Sequence, residues 1–309
     1  MPIKVAVVGT GHMGKIHLGK LHGFEGVRVA GIADIDAAAL SALSEKYGLT
    51  RYSDYKDMAD GLNGVVIATP TDTHYPIARS FMEKGVHVFI EKPVAATVSE
   101  ARRLAGLAAE KGLAFHVGHL ERFNPAFRKA RQLIREPLVI EAHRTSPFTG
   151  RSTDVDVILD LMIHDIDLVL SLVREDVKEI RAGGASVVTD KLDAAQARVF
   201  FANGSVANIF SSRVAAKRER TLTVFEKGRS FCIDFMEGKL TVIGKKPGGG
   251  TDIEEHAADR IDPVQDELAE FISAIKGIPQ QGATGEDGLR ALILANKIRQ
   301  HIAKKQRRS

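Results

Sequence analysis

Over the first 120 residues the apolar positions switch repeatedly between a short-run and a helical pattern. Ile3-Lys4-Val5-Ala6-Val7-Val8 is a nearly continuous apolar run closed by Gly9, the pattern of a strand covered on both faces. A helical segment follows, then a second apolar run that ends before Asp34. The alternation continues with a helix expected near Ala37 to Tyr47, a strand over Val65 to Thr69 and a helix from about His74 to Gly85. A strand over Val86 to Ile90, a helix from about Val98 to Gly112 and a strand over Ala114 to Val117 complete this half near residue 120. Strands separated by helices predict a parallel, doubly wound sheet.

Beyond residue 125 the pattern changes. A helix is expected near Pro125 to Ile134, a strand from about Leu138 to Thr145 and a helix around Val157 to Val173. Strands then dominate: Val199 to Ala202, Val206 to Ser211, Leu222 to Phe225, Phe231 to Phe235 and Leu240 to Ile243, with hairpin signals at Asn203-Gly204, Lys227-Gly228 and Glu237-Gly238. Helices near Pro263 to Ile275 and Gly288 to Ala303 finish the chain, and Lys246-Pro247-Gly248-Gly249-Gly250 reads as a flexible loop. The expected fold is therefore α/β, a doubly wound parallel domain over residues 1–120 and an α+β domain with an open, mainly antiparallel sheet over 121–309. Phe231, Ile233 and Phe235 share one face of that sheet, while Cys232 and Met236 flank Asp234 on the other. Two rather apolar faces predict helices on one and a second subunit on the other, giving a homodimer or homotetramer through the C-terminal sheet.

The loop after the first strand carries chemistry. In Gly9-Thr10-Gly11-His12-Met13-Gly14 the first glycine suits the tight turn off the strand, the second lets backbone approach a pyrophosphate, and the third allows close helix–sheet packing. Backbone N–H groups at the helix start favour the anion without a lysine. Asp34 follows at about 20 residues, the spacing at which a carboxylate takes ribose hydroxyls. Strand, loop, helix, second strand and acid in register predict a Rossmann dinucleotide site, with NAD preferred over NADP because Asp34 and Asp36 oppose a 2′-phosphate and no arginine lies in Ile32 to Asp36.

Composition narrows the class. At 309 residues and 44% hydrophobic, the chain is long enough for two cores. Cys232 is the only cysteine, which excludes intrachain disulfides and cysteine-built metal sites. A first strand at Ile3 leaves no room for a signal peptide, and no apolar run approaches a bilayer span, so a cytoplasmic protein without a membrane partner is expected. The net charge of +4 includes the basic tail Lys304-Lys305-Gln306-Arg307-Arg308, which argues against nucleic acid as a partner and is compatible with an anionic small substrate.

Ligands on doubly wound sheets lie at the carboxyl ends of strands. Three such ends stand out: Thr69-Pro70-Thr71-Asp72-Thr73-His74, either a capped turn or a cofactor contact; Glu91-Lys92-Pro93, a charged pair ending an apolar strand; and Gly118-His119 through Pro125, where Arg122 suits either an anion or an ion pair. In the second half, Asp160 and His164 are four residues apart on a helix. The spacing admits a solvated helix face, a metal site from His164 and carboxylates, or a catalytic dyad. Oxidation of a secondary alcohol needs a proton acceptor, and histidine accepts a proton near neutral pH with Asp160 orienting the ring. Arg122, Arg151 and the cluster Arg213, Arg218 and Arg220 are either ordinary solvated charges, expected for at least half of them, or partners for an anionic substrate.

These residues together carry a resemblance. Gly9-x-Gly11-x-x-Gly14, Glu91-Lys92-Pro93 and Asp160-x-x-x-His164 stand in the order and approximate spacing of the glucose-fructose oxidoreductase, inositol dehydrogenase and MocA family of sugar dehydrogenases, over essentially the whole chain. The resemblance implies Lys92, Asp160 and His164 as catalytic residues meeting at the nicotinamide, and a cis bond at Lys92-Pro93. It implies cofactor contacts from Gly9, Gly11, His12, Met13, Gly14, Asp34, Thr69, Pro70, Thr71, His74, Glu91, Lys92, Pro93 and His119. It also implies substrate contacts from Lys92, Arg122, Arg151 and His164, and no metal. The stretch Gly118 to Pro125 and Asp160-Leu161-Met162-Ile163-His164-Asp165-Ile166-Asp167 is most similar to the short bacterial subgroup containing UDP-N-acetylglucosamine 3-dehydrogenase. One departure is the glycine-rich run before the aspartate, replaced here by Ser152-Thr153-Asp154-Val155-Asp156-Val157. Other classes on this scaffold are dehydrogenases of free sugars or polyols, imine or enone reductases, and non-catalytic nucleotide-sensing regulators; retention of Lys92 and His164 argues against the last.

Overall fold

In the computed structural model the described residues are 1–58, 60–150, 153, 155–257, 262–278 and 281–307. The chain forms two compact units, Met1–Leu120 with Asp262–Leu289, and Glu121–Ile261 with Arg290–Ser309. In chain order the elements are β1 (Ile3–Val8), α1 (His12–His22), β2 (Val27–Ala33), α2 (Ala37–Tyr47), β3 (Arg51–Tyr52), β4 (Gly64–Ile67), α3 (Thr71–Glu83), β5 (His87–Ile90), α4 (Val98–Lys111) and β6 (Phe115–Val117). They continue with α5 (Pro125–Leu133), β7 (Val139–Thr145), α6 (Ile163–Leu172), β8 (Val177–Ala185), β9 (Ala194–Phe201), β10 (Val206–Ser212), β11 (Glu219–Glu226), β12 (Arg229–Asp234), β13 (Lys239–Lys245), β14 (Thr251–Ala257), α7 (Pro263–Ile275) and α8 (Gly285–Gln306).

The first unit is a six-stranded parallel sheet in the order β3-β2-β1-β4-β5-β6, the doubly wound arrangement whose strand order reverses between β1 and β4. Val5, Val7, Leu18, Leu21, Ile32, Val66 and Phe89 form its core. Local chemistry sets the helix starts: Asp36 accepts from the N–H groups of Ala38 and Ala39 at α2, and Thr97 and Glu100 form a reciprocal capping box at α4. α7 folds back into this unit, with Leu268, Phe271 and Ile272 in the same core. Gly64 in β4 makes room for it, since a Cβ there would lie 2.7 Å from Ile275 and 3.2 Å from Phe271. Asp262 caps α7 by accepting from Gln265 and pairs with Lys20 of α1.

The second unit is an eight-stranded sheet in the order β14-β13-β12-β11-β7-β10-β9-β8, antiparallel except for β7 with β10. Its inner face packs on α5, α6 and α8 through Phe127, Ile166, Leu222, Phe231, Ile233 and Ile298. Its outer face carries a cross-strand row that runs Ile253, Ile243, Ser230, Phe225, Val139, Val206, Phe200 over seven strands. The interior strands follow the expected alternation. The edge strand β14 does not, since Thr251–Ala257 is exposed at nearly every position, and β8 alternates only past a bulge between Val177 and Glu179, with Ile180 and Ala182 turned to the core. The Lys246 to Gly250 loop is the hairpin tip that leads into β14, closed by Lys246 N–H donating to Gly250 O.

Candidate active site

The cofactor-type cleft is built at the β1/β4 reversal. Gly9 turns with φ +92°, and a Cβ there would lie 2.5 Å from the carbonyl oxygen of Ala68. Gly14 is tighter still: a Cβ would fall 1.8 Å from Gly9 O, so helix α1 reaches the loop only because both positions lack side chains. At Gly11 nothing lies within 4 Å of the Cβ position, and this N-cap of α1 makes no side-chain hydrogen bond, so the helix N-terminus is open to an anion.

Around it lies a cleft of about 860 Å³ lined by Gly9, Gly11, Lys15, Asp34, Thr69 and Pro70 among others. Asp34 Oδ2 accepts from the Thr10 hydroxyl at 2.7 Å and from its N–H, and Oδ1 accepts from Asp36 N–H at 2.9 Å. Burial alone would raise the Asp34 pKa, but these hydrogen bonds outweigh it and hold the carboxyl below its usual value, ionised for sugar hydroxyls. The geometry fits a dinucleotide: an open helix N-terminus for the pyrophosphate and a fixed carboxylate for the ribose.

The other first-unit residues divide. His12 and Met13 lie in the first turn of α1 and Thr71 in that of α3. His74 is buried, with its two ring nitrogens 2.9 Å from the carbonyl oxygens of Pro93 and Thr69, so it ties two loops together and has no face toward the cleft. Burial pushes its pKa below the ordinary histidine value, against the pull of those two carbonyls and of Glu91. Glu91 is held by fully buried His17 of α1, 2.6 Å from Nε2, and lies against Gly118, where a Cβ would meet its Oε2 at 2.9 Å. His119 is buried just past β6. Lys92 is half-buried between these two anchored neighbours, and the Lys92–Pro93 peptide is cis. His17 escaped the sequence reading; its one signal was a place on the buried stripe of α1 with Gly14, Leu18 and Leu21.

In the second unit Asp160 and His164 are both half-buried. They do not share a regular helix: residues Ile158–Met162 form a wide turn in which Ile163 N–H reaches back five residues to Ile158 O. Turns of this kind recur at functional sites. Asp156 starts the segment, accepting from Ile158 and Leu159 N–H at 3.1 Å and from Arg299 Nε at 2.6 Å. The two other aspartates of the stretch are structural. Asp165 takes a bidentate pair from Arg144, both contacts 2.9 Å, and Asp167 takes one from Arg122, both 2.7 Å.

For Arg122, expected to contact substrate, the structure shows a buried guanidinium paired with Asp167, the ion-pair reading of this residue. Arg213 is likewise committed, to Asp193 at 2.8 Å. Arg151 lies outside the described residues, as do Ser152 and Asp154. Arg218 and Arg220 line a cavity of about 130 Å³ with Asp160, Arg144 and Arg213. Among the described residues no three His, Cys, Asp or Glu side chains stand together as a metal site, and no helix is long and apolar enough to cross a membrane.

The fold and the cleft define a Rossmann-type oxidoreductase, and comparison with known proteins agrees. Residues 3–119 match the model of the oxidoreductase family with an NAD-binding Rossmann fold, and residues 127–241 match the GFO/IDH/MocA C-terminal domain. The chain is 34% identical over 303 residues to UDP-N-acetylglucosamine 3-dehydrogenase of Acidithiobacillus ferrooxidans, covering 96% of each. It superposes on a structure of that protein with a TM-score of 0.92 at 33% identity, covering 98% of each chain. The myo-inositol 2-dehydrogenase of Thermotoga maritima is 24% identical, covering 98% of this chain and 97% of that one. A levoglucosan dehydrogenase in complex with NADH, at 19% identity and a TM-score of 0.88 over 98% of both chains, shares the fold. The chain belongs to the GFO/IDH/MocA oxidoreductase family.

Proposed function

We propose that this chain is an NAD-dependent dehydrogenase that oxidises a sugar secondary hydroxyl to a ketone, its substrate a nucleotide sugar, UDP-N-acetylglucosamine oxidised at C3. The observation that carries the reading is that Asp160, just before His164 on the wide helical turn, walls an arginine-lined cavity, which a free polyol would not need. Identity of 34% to a dehydrogenase of that substrate supports it. Bound NAD supplies the hydride acceptor. His164 takes the hydroxyl proton as the hydride leaves carbon, Asp160 orients its ring and stabilises the imidazolium, and Lys92 polarises the reacting oxygen. The half-apolar outer sheet face, with Phe225 and Ile253 exposed, suits a second copy of the chain.

The test follows NADH formation with UDP-N-acetylglucosamine, free N-acetylglucosamine, glucose and myo-inositol, with the ketone trapped by a coupled aminotransferase. Turnover of the UDP-sugar above the others is expected. Robust turnover of a free polyol with none of the UDP-sugar would discard the nucleotide-sugar reading.

The choice of NAD rests on Asp34. At about 4 Å, a carboxylate and one phosphate charge repel by about 4 kcal/mol at an effective dielectric near 20, less where water screens them. Asp34→Ala is expected to lower kcat/KM with NAD and raise it with NADP. Equal kcat/KM for the two cofactors in the wild type, or no gain with NADP in the variant, would remove this role.

A further inference from the structure

The cavity beside Asp160 is lined by four guanidinium groups, and they are not equivalent. Arg144 in β7 and Arg220 in β11 are directly opposed across an antiparallel pair, an arrangement of like charges that is unfavourable by itself. The fold neutralises one of them. Arg144 is buried with Asp165 bound bidentately and Glu121 at 2.6 Å, and although burial opposes its charge, these two carboxylates hold its pKa above the ordinary value. Arg220 Nη1 shares the same Glu121 oxygen, Oε1, at 3.4 Å. Arg213 is saturated by Asp193, by Val155 O at 2.8 Å and by Thr189 Oγ1 at 3.0 Å. Arg218, exposed on the loop between β10 and β11, makes no ion pair among the described residues. Among the described residues the four guanidinium groups face Asp165, Glu121, Asp193 and, in the cavity wall, Asp160, and Arg218 and Arg220 are the two whose N–H groups are least committed. Burial pushes the Arg220 pKa below its ordinary value, and Arg144 and Arg218 push the same way against Glu121, a repulsion that a bound anion would relieve.

Size narrows the ligand. At about 130 Å³ the cavity is well below the roughly 300–1,000 Å³ that encloses a whole ligand, so it takes a group of one. We infer that Arg218 and Arg220 form a phosphate-binding subsite that holds the diphosphate of a nucleotide-linked substrate, with Arg144 and Arg213 as its fixed wall. The inference rests on the nucleotide-sugar reading above and assigns the two residues that give it specificity. Arginine suits the task because its planar fork meets phosphate oxygens in pairs.

The test is calorimetric titration of the full-length protein with UDP, UMP and inorganic phosphate, for the wild type, Arg218→Gln, Arg220→Gln and Arg198→Gln, the last an exposed arginine of the outer sheet face. Arg218→Gln removes no ion pair found among the described residues, so a folding failure does not confuse it. Expected is tighter binding of UDP than of UMP or phosphate, a loss of about 10- to 100-fold in UDP affinity for each of the first two variants, and no change for the third. The wild-type affinity should also weaken as salt rises. Unchanged UDP affinity in Arg218→Gln and Arg220→Gln would overturn the subsite while leaving the dehydrogenase reading intact if the wild type still turns over the UDP-sugar. No UDP binding by the wild type would overturn the subsite outright, and absent NADH formation from the UDP-sugar would then remove the functional reading as well.

Discussion

Replacing His164 or Lys92 by alanine is expected to lower kcat by at least about 10²-fold, within the 10²- to 10⁴-fold that a positioned proton-transfer group contributes, with NAD binding kept. An alcohol gives up hydride readily only as its proton departs, so loss of the acceptor leaves the proton to water. A group that acts only in the transition state lowers kcat and kcat/KM together, and that joint loss in steady-state kinetics is the signature to look for. Binding should survive because neither residue lines the cleft of Gly9, Gly11 and Asp34. Lys92 is well suited to a positional role: His17 fixes the side chain of Glu91 before it and His74 the carbonyl of Pro93 after it, so its backbone is anchored on both sides. Near-normal turnover in His164→Ala would remove it as the base. Lost NAD binding in either variant would make that residue structural.

Arg122→Met is expected to destabilise the protein by about 3–5 kcal/mol without a matching rise in KM, because it removes the bidentate guanidinium from the buried Asp167 carboxylate. Both side chains are nearly inaccessible, at 5% and 2%, so water cannot replace the guanidinium. In Tm the loss corresponds to roughly 6–20 °C. The double variant Arg122→Met with Asp167→Leu should recover most of it, since an apolar pair of similar volume carries no unpaired charge. Thermal unfolding of the single and double variants measures this. An unchanged Tm with a raised sugar KM would return Arg122 to the substrate site.

What was legible in the sequence was what declares itself locally. The glycine loop and Asp34 could be read because a tight turn, an open helix start and a close helix–strand contact each demand a residue type at a fixed spacing. Interior strands such as β11 and β12 were readable because one buried face imposes alternation. Edge strand β14 lacks a buried face and so carried no period, and in β8 a bulge between Val177 and Glu179 interrupts it. The return of α7 to the first unit was hidden for another reason: an apolar stripe says that a helix is covered, not by which sheet, and the deciding feature is a missing side chain at Gly64, some 200 residues earlier. The ion pairs were least legible. In Asp160 to Asp167 nothing in the sequence marks Asp165 and Asp167 as structural, because the arginines that hold them, Arg144 and Arg122, lie 21 and 45 residues away. The arginine set shows the same effect, since distant carboxylates hold Arg122, Arg144 and Arg213 closely, whereas Arg220 shares Glu121 Oε1 at 3.4 Å and Arg218 makes no ion pair among the described residues.

In the proposed reaction a hydride leaves one carbon of a nucleotide sugar. The most direct measurement supplies UDP-N-acetylglucosamine deuterated at C3 with NAD, traps the ketone, and determines the mass of the NADH formed. One deuterium in the dihydronicotinamide is the predicted result. NADH free of label would contradict oxidation at C3, and no NADH from the UDP-sugar, when a free polyol supports turnover, would contradict the nucleotide-sugar assignment.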